Sequence, residues 1–140
     1  MKKIRDDDLR KKIAEIVITM DKKTLVIWAS DCAEHVLSYF EEKYPNDNRP
    51  RKAIEAARAW VDGELSVSDA RSAAFAAHAA AREVEEDVTC TVARAAGHAA
   101  ATAHVAGHAI HAANYAVKID SKELIWQYER LLELRDNIAE

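Results

Sequence analysis

Four histidines fall within AAGHAAATAHVAGHAIHAAN, residues 95–114, a stretch without a single Asp, Glu, Lys or Arg. On a continuous helix His104, His108 and His111 stand within about 80° of one another, on a stripe that also holds Gly97 and Ala101. Imidazoles at i, i+4 and i+7 offer nitrogen ligands to one zinc ion, and His35, Cys32 or His78 from other helices are further ligands for such a site. The alternative is a close-packed core in which each ring is neutral and hydrogen-bonded. Rings of that kind have folded pKa values below the reference of about 6.5, so stability falls as the pH drops below it. Acid–base catalysis is a third chemistry. It is disfavoured because the stripe carries no carboxylate and the sequence no H-E-x-x-H. Small residues fill most other directions of this helix, which favours the core.

DCAEH, residues 31–35, gathers Asp31, Cys32 and His35 on one helical turn. A Cys/His/Asp nucleophile site needs partners from separate elements and an accessible thiol, whereas this cysteine sits among Leu25, Trp28 and Val36, as a packing residue does. Trp28, Trp60 and Trp126 suit core or rim anchors better than a ligand cage. The sequence holds no glycine-rich phosphate loop.

Helical periodicity and capping residues supply the elements that position these groups. Leu9, Ile13, Ile16 and Val17 predict a helix from Asp8 to about Thr19, with an uncertain end in the β-branched run IVIT. A second runs from Asp21 or Lys22 to Tyr44, before Pro45, with Leu25, Trp28, Cys32, Val36 and Tyr39/Phe40 as its buried stripe. Pro50 opens a third helix, Arg51 to Asp62, which Gly63 stops in the left-handed conformation. Ser66 or Ser68 caps a fourth that reaches about Glu85. Asp87 caps a fifth, which continues to Lys118 as a helix roughly 45 Å long. Asp120-Ser-Lys-Glu123 opens the last. The expected fold is all-α: one domain over residues 1–140, with about six helices in an antiparallel, bundle-like array around a long alanine-rich central helix, approximately 88–118.

Composition bounds the function. The 140 residues hold 28 alanines, 20 of them between Ala70 and Ala116, but only three glycines and two prolines, which favours helices over a many-stranded sheet. The net charge is -4. The basic residues Lys2, Lys3, Arg10, Lys11 and Lys12 are interleaved with Asp6, Asp7 and Asp8, which fits a solvated terminal helix and not a nucleic-acid arm. Residues 95–117 are too weakly apolar to span a bilayer, and no signal-peptide pattern follows the N-terminus. Two distant cysteines without a C-x-x-C pair fit a reduced, cytoplasmic protein.

Three blocks in order, WASDCAEHVLSYFEEKYPNDNRPRKAIEAARAW (28–60), ARSAAFAAHAAAREV (70–84) and ARAAGHAAATAHVAGHAIHAANYA (93–116), resemble a bacterial family of putative immunity proteins. These are small alanine-rich helical domains grouped with the immunity proteins of polymorphic toxins. The resemblance covers roughly residues 25–118 and implies a non-enzymatic protein that binds and neutralises a protein toxin; it brings no catalytic residues. An acidic rim of Glu41, Glu42, Asp47, Glu83, Glu85, Glu86 and Asp87 is the expected binding surface, electrostatics being a common means of partner choice. A solvated polar face is the plainer account of the same residues. Two other functions stay open: a histidine-site metal-binding protein or metal-dependent enzyme, and a self-associating helical scaffold, a homo-oligomer joined through alanine faces.

Overall fold

A computed structural model describes residues 5–138, and within them the chain is all-α: eight helices and no strand. They are α1 (Asp6–Val17), α2 (Lys22–Glu34), α3 (Ser38–Glu41), α4 (Arg49–Val61), α5 (Val67–Glu83), α6 (Val88–Ala101), α7 (His108–Ile119) and α8 (Glu123–Ile138). Lys2 and Lys3 lie outside the described residues.

Most boundaries follow from local chemistry. The Asp21 carboxylate accepts from the Thr24 amide at 2.7 Å and opens α2, the Ser66 hydroxyl accepts from the Asp69 amide to open α5, and Asp87 accepts from the Thr89 amide to open α6. Pro50 stands in the first turn of α4 and Gly63, at φ +78°, follows its end.

Two expected helices are each broken in two, which turns six into eight. The helix expected from Asp21 to Tyr44 ends at Glu34; the Val36 and Leu37 amides turn to the carbonyls three residues back, and the short α3 follows. Its inner stripe survives the break, since Leu25, Trp28, Cys32, Val36 and Phe40 are all buried, but Tyr39 turns outward and is 46% exposed.

The expected central helix of residues 88–118 is likewise two helices, α6 and α7, separated by the turn Thr102–Gly107. The Thr102 hydroxyl donates to the His98 carbonyl at 2.8 Å, a local bond that competes with the helical ladder. The amides of Ala103 and His104 then bond carbonyls three residues back, those of Ala100 and Ala101, so the α6 end tightens and stops. Val105 and Gly107 lie in the same turn, both poor helix formers.

The first of these halves, α6, is the centre of the fold and packs against α2, α3, α4, α5 and α7. Its Ala93, Ala95, Ala96, Ala99 and Ala100 are fully buried, and small side chains allow five neighbours to approach one helix. The facing alanines of α5, Ala70, Ala74, Ala77, Ala80 and Ala81, are buried as well. Larger residues fill the rest of the core: Trp28, Phe40, Ile54 and Leu131. Trp28 donates from its indole nitrogen to the Gln127 carbonyl at 3.0 Å, and the Gln127 amide donates to the Ala113 carbonyl at 2.9 Å. These two buried bonds join α2, α7 and α8 and satisfy polar atoms that burial otherwise penalises.

Candidate functional site

The break after α6 decides where the histidines go. On a continuous helix residues 98 and 108 stand about 15 Å apart along the axis. Because the turn returns α7 onto α6, their Nδ1 atoms face each other at 2.9 Å. His98 becomes the hub of a ring cluster drawn from three helices. His78 of α5 meets it edge-on at 4.9 Å between centroids, while His108, His111 and Tyr115 of α7 lie at 5.1, 5.2 and 5.4 Å. The projected stripe omitted His98, which is central here.

His78 is seated by two residues of α6. Arg94 donates from Nη1 to His78 Nδ1 at 2.8 Å, and Gly97 leaves the space its ring occupies, since a β-carbon there meets ring atoms at 2.7 Å. Burial, with Arg94 and Arg82 adding repulsion, pushes the His78 pKa down to about 4. Burial and the surrounding rings push His98 down to about 4, and burial lowers His108 also. These three rings are therefore neutral at pH 7.

Of the expected zinc ligands, His104 is exposed on the turn, His108 pairs with His98, and the exposed His111 has its ring 6.1 Å from that of His108. His78 joins this cluster, whereas Cys32 in α2 and His35 just after its end lie toward α8. Among the described residues no three His, Cys, Asp or Glu side chains are grouped so as to hold a metal ion. Beside the cluster opens a cleft of about 350 Å³ lined by Arg71, Phe75, His78, His104, Val105 and His108. Phe75 is 61% and Val105 48% exposed at its edge.

DCAEH serves to join helices. Asp31 accepts from Arg58 of α4 and from Arg130 of α8, each at 2.9 Å. Cys32 is fully buried, and desolvation pushes its thiol pKa well up, away from the thiolate a nucleophile needs. His35 pairs with Glu123 at 2.7 Å and stacks on Trp126 with centroids 3.5 Å apart.

The acidic residues expected to form a rim are joined across four segments by cations the sequence view overlooked. Arg51 holds Glu41 at 2.6 Å, Arg49 bridges Asp47 and Glu83, and Lys43 bridges Asp87 at 2.9 Å and Glu85 at 3.7 Å. The hydrogen bonds from Thr89 and Lys43 hold the Asp87 carboxyl far below the usual range. Glu42 and Glu86 are exposed and make no ion pair among the described residues. Seven carboxylates against three cations leave this group of ten residues net acidic.

No helix among the described residues is long and apolar enough to cross a membrane. Comparison with curated proteins and with solved structures found no match. A family model matches residues 15–134, taking in both the histidine cluster and the acidic rim, and on that match the chain belongs to the Imm-5 like putative immunity protein family.

Proposed function

We propose that this chain is an immunity protein that acts without catalysis: it binds a protein toxin and blocks it by occupying its surface. The observation that carries the reading is the family match over residues 15–134, nearly the whole described fold. Several structural features support it. The residues best suited to nucleophilic chemistry are engaged otherwise, Cys32 in the core and Asp31 in two ion pairs. The alanines through which α5 and α6 meet, among them Ala77, Ala80, Ala96 and Ala100, are buried within the chain and not offered to a second copy. Two free cysteines suit a reducing cytoplasm, where a cell must meet a toxin of its own making.

The acidic rim is the proposed toxin-binding face. Lys43, Arg49 and Arg51 hold its backbone segments in register, and Glu42 and Glu86 carry the charge left for a partner. Charges at an interface edge act mainly on association rate and partner choice. The test is growth of cells expressing a candidate toxin from the organism that makes this chain. Co-expression of the chain restores growth, and Glu42→Lys with Glu86→Lys weakens protection while leaving unfolding stability within about 1 kcal/mol, each exposed change being worth up to about 0.5 kcal/mol. Absence of protection by the folded, expressed chain refutes the reading.

A further inference from the structure

We propose that the contacts His98–His108 and His78–Arg94 form a proton-operated latch, which holds the Thr102–Gly107 turn and the first turn of α7 on α6 while the rings are neutral and releases them on acidification. The geometry requires it. Two Nδ1 atoms at 2.9 Å share one hydrogen, so one ring donates and the other accepts. A further proton on the acceptor sets two N–H groups and a new positive charge against each other. His78 Nδ1 accepts from the Arg94 guanidinium at 2.8 Å; protonation turns that acceptor into a donor facing a cation. Both contacts thus fail by the same kind of event, protonation of the accepting ring nitrogen.

Among the described residues, the charges acting on the three rings are arginines and other histidines. Arg71, His78 and Arg82 face the cluster or its cleft from α5, Arg94 and His98 from α6, His104 from the turn, and His108, His111 and Tyr115 from α7. Lys118 stands over the Tyr115 ring at 4.7 Å. No carboxylate is among the charges acting on the three rings. On α2, α3 and α4, which also pack on α6, Asp31 and Glu34 are tied to Arg58, Asp31 also to Arg130, and Glu41 to Arg51. The segment has two sides: Thr102, Ala103 and Ala109 are buried against the core, while His104, Val105 and His108 border the open cleft.

The sign follows from where protons bind. In the open state the rings are solvated and titrate near the reference of about 6.5. In the latched state His78 and His98 titrate at about 4. The open state therefore binds more protons, and the latch is intact above about pH 6.5 and weakens as the pH falls toward 4.

Hydrogen exchange on the unmodified protein reads this directly. Between pH 7 and pH 5, with intrinsic exchange rates corrected for, amides of residues 102–110 lose at least about 10-fold protection while those of α2 and α8 keep theirs. The doubly substituted His78→Asn, His108→Asn protein keeps an acceptor for Arg94 and a polar partner for His98, and loses about half of that pH dependence on a logarithmic scale, the share that His78 carries. Ring titration by NMR, which needs no variant, shows His78 and His98 titrating below pH 5. Titration of both rings near 6.5, equal loss of protection in α2 and α8, or unchanged protection at residues 102–110 overturns the latch.

Discussion

Two glycines of the histidine stretch have opposite roles, and a single methyl group separates them. A β-carbon at Gly97 meets the His78 ring at 2.7 Å, whereas one at Gly107 meets nothing within 4 Å. Gly107 has φ -59° and ψ -20°, a conformation any residue adopts. Gly107→Ala therefore stabilises the protein by about 0.5–1 kcal/mol through the unfolded chain. Gly97→Ala gains roughly 1 kcal/mol of helix propensity but displaces the His78 ring from Arg94, a charge-assisted bond worth about 1.5–3 kcal/mol. Its net effect is a loss of about 1 kcal/mol. Urea unfolding of the two variants at pH 7 checks the pair: one midpoint rises and the other falls. Glycine is required for space at Gly97, where a ring fills the place of its side chain, and not at Gly107, which lies in a turn and faces open space.

At the scale of elements, the all-α class and most caps were legible because they depend on neighbours in sequence: Asp21, Ser66, Asp87, Pro50 and Gly63 act within a few residues of themselves. The breaks at His35–Leu37 and Thr102–Gly107 were not. At Thr102–Gly107 a sum of helix propensities over alanine-rich sequence favours continuation, and the turn prevails through the packing of α7 back on α6. Thr102, Val105 and Gly107 within six residues were the available signal. The candidate site suffered most, since His98 lies off a stripe drawn on one helix and enters the cluster only when that helix folds back. The same limit hid the role of DCAEH, because Arg58 and Arg130 are distant in sequence from Asp31. Asp31 carries a prediction of its own. Its side chain is 18% exposed and accepts from both arginines, so Asp31→Ala costs about 2 kcal/mol and loosens α4 and α8 together. Glu133→Ala removes only the exposed end of the same network and costs under about 0.5 kcal/mol. Thermal unfolding of both variants distinguishes the two.

Across the whole molecule, a tightly filled alanine core carries two distinct polar regions. The acidic rim is braced by its own cations, while the histidine cluster lies among arginines and neutral rings beside a cleft. A braced acidic face suits the binding role proposed above. The immunity reading then has a stoichiometric consequence that catalysis does not share. Purified toxin activity measured against increasing amounts of this protein tests it most directly. The account predicts that inhibition saturates at about one chain per toxin and that the toxin, once separated, is chemically unchanged and active. Inactivation by far less than an equimolar amount, a covalently altered toxin, or undiminished toxin activity in excess folded protein contradicts it.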